Sequence, residues 1–204
     1  MSNGEGSRQP RRARNGSATR DALLNAAVRV IVDEGYAAVS TRQIAEVAGV
    51  KAPLVHYHFG TLQDLLLEVY RREAEQSLQR HVRAMARKDP LQALWEMNAD
   101  AERTGLALEF MAMARHRKRI ADVIARYAEQ IRAIQIVALD RHFRDTGQAP
   151  GLFPPTALSV ILASVARSLV MEGGVGIHLG HAECHAAMEA LLASYRQADA
   201  AVSR

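Results

Sequence analysis

Residues 40–59, STRQIAEVAGVKAPLVHYHF, constrain this chain more than any other stretch. Ser40 with Gln43 three residues on forms a capping pair that opens a helix, with Ile44, Ala45 and Ala48 on its inner face. Ala48-Gly49-Val50 breaks that helix. Pro53 fits the first turn of a second one, because its missing N–H would have been unpaired there anyway. Two short helices set at a steep angle by a turn containing glycine are the arrangement that seats a helix in the DNA major groove.

Everything around this pair also reads as helix. From about residue 17, Leu23, Ala27, Val30 and Ile31 share one face, and Gly35 ends the helix by tolerating positive φ. Thr61 with Asp64 caps a long helix over 62–88, which Asp89-Pro90 punctuates. Helices follow over 90–103, 105–116 and 118–145. In the last of these, Ile120, Ile124, Tyr127, Ile131, Ile134 and Ala138 recur at spacings of three and four. A loop covers 146–155. The segment 156–172 is apolar on most faces, which implies burial on more than one side. An amphipathic helix over 181–197 carries Met188, Leu191, Leu192 and Tyr195. No strand-like alternation and no internal repeat is present, so the expected fold is all-α with about nine helices. The expected organisation is a disordered basic arm over 1–16, a helix-turn-helix domain over 17–60 and a larger helical domain over 61–204.

Composition narrows the class. With 49% apolar and 24% charged residues the 204-residue chain is too apolar for general disorder and long enough to bury a core. Residues 1–60 hold eight basic and five acidic side chains, and 61–204 hold 18 and 17, so the excess cation sits beside the helix pair, where phosphates would be neutralised. The single cysteine, Cys184, excludes an intramolecular disulfide framework. No apolar run approaches the roughly 20 residues that span a bilayer, and the N-terminus lacks the apolar middle of a secretory signal. A cytoplasmic protein is the expectation.

Thr41-Arg42-Gln43-Ile44-Ala45, then Ala48-Gly49-Val50, then Val55-His56-Tyr57-His58-Phe59, with Asp64-Leu65-Leu66 behind, resembles the TetR family of bacterial transcriptional regulators. The specific match covers residues 35–66; the rest corresponds only in helix number and length. The resemblance implies a three-helix DNA-binding domain and a larger helical ligand-binding domain. It also implies a homodimer held by a four-helix bundle from the last two helices of each subunit.

Read for chemistry, Arg42 is placed to fork onto guanine or onto a phosphate, the alternative being a solvated helix residue. Ser40 stands beside it at the helix start. Lys51 and the helix N-terminus at Ala52 and Pro53 offer charge and free N–H groups to phosphate oxygens. Tyr57 and His58 end the recognition helix, where the family faces the DNA backbone; His58 could instead bond a neighbouring carbonyl, and Phe59 belongs to the core. The chain departs from the family in places. His56 stands where a phosphate-bonding Tyr is usual and donates from only one ring nitrogen when neutral. Leu54 replaces a small hydroxyl residue, so a base contact there is apolar, and Leu62 replaces a frequent Lys. Arg8, Arg11, Arg12 and Arg14 form either a minor-groove arm or a solvated tail.

Candidates for a ligand pocket are Trp95, Met97, Phe110, Met111, Met113, Tyr127, Ile131 and Met171, with Glu109, Asn98 or Glu172 as polar partners, because methionine adapts to varied apolar shapes. The same residues at helical spacing also describe plain core. His178, His181, Cys184 and His185 bear ligand-type atoms, yet the separated ligand pairs of a zinc site are missing, so no metal and no cofactor is expected. The glycines at 173–176 lack the Lys-Ser or Lys-Thr of a phosphate loop. The basic run 115–119 reads as a solvated helix junction. No nucleophile–base pair is legible, so no enzyme is expected. The expected function is a ligand-responsive transcriptional regulator, a repressor that binds a pseudo-palindromic operator as a homodimer and is released by a largely apolar small molecule. Two rivals stand beside it: a helical carrier or enzyme with a degenerate DNA-binding motif, and an architectural DNA-binding protein without effector.

Overall fold

A computed structural model describes the backbone of residues 9–147 and 152–202, and the side chains of 16–147 and 152–196. Among the described residues there are nine α-helices, one short 3-10 turn and no strand, the all-α architecture the periodicities predict. Packing divides the chain into two compact units, with the division between Arg72 and Glu73, inside a helix.

The first unit holds α1 (Gln9–Glu34), the turn Tyr36–Ala38, α2 (Thr41–Val47), α3 (Pro53–Phe59) and the start of α4 (Leu62–Met85). α1 packs on α2 and on the 3-10 turn, and α2 packs on α3. Leu23, Ala27, Val30 and Ile31, the predicted inner face of α1, are buried together with Ile44, Ala45, Val55 and Leu65. Each such large aliphatic side chain contributes roughly 1.5–3 kcal/mol by leaving water. Gly35 takes φ 79° directly after α1, and its N–H reaches the Ile31 carbonyl at 3.0 Å, the predicted glycine stop. The disordered arm expected through residue 16 is shortened by the structure. α1 already begins at Gln9, because a proline in a first helical turn loses no hydrogen bond and arginine and alanine favour helix. Residues 1–8 and the side chains of Arg11, Arg12 and Arg14 lie outside the described residues.

The second unit contains the remainder of α4, then α5 (Pro90–Ala99), α6 (Ala101–Ala114), α7 (Lys118–Thr146), α8 (Pro155–Gly174) and α9 (His181–Val202). α4 stops at Met85, three residues short of the expected end, where the Arg87 N–H turns to the Ala84 carbonyl in a tighter loop. The expected boundary between the next two helices also moves. Asp100 ends α5 and its carboxylate accepts the Arg103 backbone N–H at 3.1 Å, so α6 starts at Ala101. Asp89 caps α5 in the same way, from the Gln92 N–H at 2.9 Å.

α5 packs across α8 and α7, and α6 packs on α7 and α8. Leu94, Trp95, Leu139, Phe143, Leu162 and Leu192 lie in one continuous core. A buried polar link joins α7 to α8: Ser159 Oγ donates to Gln135 Oε1 at 2.6 Å and accepts from Arg132 Nη1 at 3.0 Å. Ser159 Oγ is thus both donor and acceptor, as burial of a hydroxyl demands. α8 departs from two expectations. Its length and composition would allow it to cross a membrane, against the expectation that no run is long and apolar enough. Its Leu158, Leu162 and Ala166 face is nevertheless core. The other face is open, with Val160 and Met171 exposed, so within one chain α8 is buried on one side only.

Candidate nucleic-acid interface and ligand cavity

α2 begins at Ser40, whose Oγ accepts the Gln43 N–H at 3.2 Å. This is the capping contact the sequence predicts, worth about 1 kcal/mol. At its other end Gly49 adopts φ 67°, its N–H reaches the Glu46 carbonyl at 3.0 Å, and the Val50 N–H reaches Ala45 at 2.9 Å. This pair of bonds closes the helix with a left-handed residue, which makes glycine the residue of least strain there. Arg29 of α1 adds a third tie, donating from Nη2 to the Val47 carbonyl at 3.1 Å. The turn is therefore fixed from both sides, and α3 follows with Pro53 in its first turn.

The two helices bury Ile44, Ala45 and Val55 and leave outward Ser40, Arg42, Lys51, Pro53, His56 and Tyr57, all exposed. Ala52, Leu54 and His58 are half-buried. Tyr57 is the extreme case at 80% exposed, a large aromatic residue with no core role. Its ring stands edge-on to His58 at 5.1 Å. His56 Nδ1 lies 2.9 Å from the Gly60 carbonyl oxygen, which requires an N–H at that nitrogen. The one N–H of a neutral His56 is thus spent inside the turn, and only the imidazolium has another to give. Phe59, expected in the core, is half-buried beneath Arg20.

The second unit contains a cavity of about 730 Å³ between α6, α8 and the start of α9. That volume lies within the roughly 300–1,000 Å³ range of small-molecule sites. Small and aliphatic groups such as Gly105, Leu108 and Leu169 form most of its wall, and Glu109, His178, His181 and His185 supply polar atoms. His181 Nε2 lies 2.9 Å from Glu172 Oε2, and that hydrogen bond holds the Glu172 carboxyl below its ordinary range. His178 packs edge-on against His181, with ring centres 5.7 Å apart, and His185 meets Trp95 at 5.6 Å.

Of the residues proposed for a pocket, Met171 and Glu109 are on this wall. Trp95, Phe110 and Met113 are not; they are closed into the core, the ordinary fate of large apolar side chains at helical spacing. Met111 is exposed, Ile131 is half-buried, and Met97 lines a separate groove. Tyr127 is half-buried and donates to Glu75 at 3.1 Å, and the Asn98 amide is spent on the Leu94 carbonyl at 2.8 Å. The histidines of the cavity wall carried a legible signal, their spacing of three and four about the start of α9. In the sequence that spacing suggests metal ligands rather than the wall of a cavity. Among the described residues no group of three His, Cys, Asp or Glu side chains is gathered to hold a metal ion.

The family model for bacterial regulatory proteins of the tetR family matches residues 23–69, which span the buried face of α1, both motif helices and the start of α4. The HTH-type transcriptional regulator BetI of Rhizobium meliloti is 46% identical over 52 residues, 26% of this chain and 26% of that protein. The regulator of the same name from Agrobacterium fabrum is 30% identical over 134 residues, 60% of this chain and 64% of that one. The chain thus matches less than two thirds of the length of these curated relatives. A transcriptional regulator from Saccharomonospora viridis, solved in complex with choline, has the same fold with a TM-score of 0.71 at 21% identity, over 89% of this chain and 96% of that one.

Proposed function

The chain belongs to the TetR family of bacterial regulatory proteins, and on that premise we propose a ligand-responsive transcriptional regulator that binds a pseudo-palindromic operator as a homodimer. The observation that carries this reading is the division of α2 and α3 into a buried face of Ile44, Ala45 and Val55 and an exposed face of Ser40, Arg42, Lys51 and Tyr57. The outward set combines a cation that can read guanine with groups that bond phosphate, and phosphate contacts fix register while base contacts select sequence. Residues 17–60 act as the DNA-binding domain and 61–204 as the effector and dimerisation domain. The site of action is the cytoplasm.

Dimerisation through α8 and α9 is supported by the open side of α8, where Val160 and Met171 expose apolar surface that a second subunit would cover. Two recognition helices then meet successive major grooves about 34–36 Å apart, or a multiple of that spacing. The cavity supports a small-molecule effector, and the choline found in the Saccharomonospora viridis neighbour supports ligand binding by this fold. Its mostly aliphatic wall with one carboxylate and three imidazoles suits a compact ligand with an apolar body and a polar end. The effector releases the operator through its greater affinity for the non-binding form. Tenfold weaker DNA binding requires about 1.4 kcal/mol of such coupling. Repression is the family's usual mode and the one proposed here.

Selection of genomic fragments by the purified protein tests this reading against its rivals. Strong enrichment of one inverted repeat supports a regulator. Diffuse A·T-rich binding would show an architectural protein, and absence of binding a carrier or enzyme with a degenerate motif.

A further inference from the structure

On the opposite side of α6 from the cavity, a groove of about 270 Å³ is lined by Arg80, Arg83, Ala84, Arg87, Met97 and Arg103. Ala101 and Gly105 face the cavity while Arg103, two residues from each, faces the groove, as the roughly 200° between such neighbours requires. Four guanidinium groups around so small a space repel one another unless something neutralises them. Two are matched: Arg87 Nη1 lies 2.8 Å from Glu96 Oε2, and Arg103 Nη1 lies 2.5 Å from Asp100 Oδ2. Those carboxylates also hold their arginines in place. Arg80 and Arg83 have no hydrogen-bond or ion-pair partner among the described residues, although they sit one turn apart on the same face of α4.

We propose that this groove is an anion site for the phosphoryl group of a small molecule, gripped by Arg80 and Arg83 and flanked by Arg87 and Arg103. Two observations select that chemistry. Two of the cations lack a direct ion-pair partner, and a phosphate monoester carries about −1.5 to −2 at neutral pH, where a carboxylate carries one. Guanidinium forks also match phosphate oxygens two at a time. The groove is smaller than the roughly 300–1,000 Å³ that encloses a whole drug-sized ligand, so it takes a head group and leaves the rest of the molecule outside, with Met97 as apolar floor. Burial, and after it the nearby Arg103 cation, hold the Arg80 pKa below the usual arginine range, against the pull of Glu73 and Asp100.

Calorimetric titration of the full chain with inorganic phosphate, pyrophosphate and adenosine monophosphate tests the proposal and separates free phosphate from a phosphorylated organic molecule. One saturable site is expected, weakened at least tenfold in R80Q/R83Q, partly retained in R80K/R83K and unchanged in R42Q/K51Q. The lysine variant also checks that the fold survives substitution at these positions. The proposal is overturned if the wild-type chain shows no saturable binding, if R80Q/R83Q binds as wild type, or if R42Q/K51Q loses the site. It is also overturned if R80Q/R83Q lowers the salt slope of DNA binding, which would assign the arginines to the DNA backbone. None of these outcomes depends on the cavity binding an effector.

Discussion

Arg20 lies over the ring of Phe59, its guanidinium carbon 5.1 Å from the ring centre, and so ties the end of the recognition helix to α1. The same guanidinium reaches Glu68 Oε1 at 2.9 Å. One side chain thus links α1, α3 and the first turns of α4. Its cation–π contact is worth about 0.5–1 kcal/mol at an exposed site, and the half-exposed ion pair less than that. Arg20→Ala is expected to lower stability by about 1 kcal/mol and to weaken operator binding although the residue lies outside the outward set of α2 and α3. Urea unfolding and operator titration of the variant check both effects. Unchanged affinity would show that α3 is held without Arg20.

Ser40 has two roles that separate by substitution. Ser40→Ala removes the oxygen that accepts from Gln43 and should cost about 1 kcal/mol of stability. Ser40→Asp keeps a capping oxygen, so stability should stay close to wild type, while the new negative charge opposes DNA phosphate and lowers affinity. Equal affinity for wild type and the aspartate variant would place Ser40 away from the DNA.

Burial pushes the His81 imidazole below its ordinary pKa of 6.5, outweighing the opposing effect of its 2.8 Å hydrogen bond to the Ser77 carbonyl. The folded chain therefore binds fewer protons than the unfolded chain below that value. The stabilising contribution is complete above pH 6.5 and is lost as pH falls towards the folded pKa. Denaturant unfolding between pH 7.5 and 5.5 should show a His81-dependent decline with a slope of at most about 1.4 kcal/mol per pH unit, removed in His81→Gln. Glu172 acts in a separate window. The His181 hydrogen bond lowers its carboxyl pKa, so its contribution is lost only as pH drops below the ordinary 4.5.

The motif helices were legible in the sequence because every determinant is local. Ser40 and Gln43 are three residues apart, Gly49 alone closes α2, and Ile44, Ala45 and Ala48 share one face of a single helical turn. The helix boundary at Asp100 was misplaced because an aspartate in an amphipathic run also reads as a solvated helix residue, and only its bond to the Arg103 N–H distinguishes a cap. The cavity was mostly illegible. Its wall joins Gly105 and Glu109 of α6 to Met171 of α8 and His185 of α9, residues brought together by packing over long chain distances. Large residues drew attention, yet Trp95 and Phe110 fill the core, and the space is left by small ones.

Gly105 follows from that point. It lies inside α6, and a Cβ built on it meets no atom within 4 Å. Gly105→Ala should stabilise the chain by about 0.5–1 kcal/mol, because glycine in a helix interior carries an entropic cost that alanine lacks. Gly105→Leu should project into the cavity, leave operator affinity intact and abolish the response to effector. Thermal unfolding and effector-dependent release from DNA check the pair. Destabilisation by alanine would mean that the position is tighter than its geometry indicates.

The central claim is that the outward face of α2 and α3 reads sequence. Its most direct measurement is the ratio of affinities for the selected operator and for random duplex DNA at 0.15 M salt, in the wild-type chain and in Arg42→Ala. The account predicts a wild-type ratio of about 10³ or more, two protomers per operator, and a loss of roughly 1–3 kcal/mol in the variant that falls mainly on the operator. A ratio near one, or an Arg42→Ala loss equal on both DNAs, would contradict it.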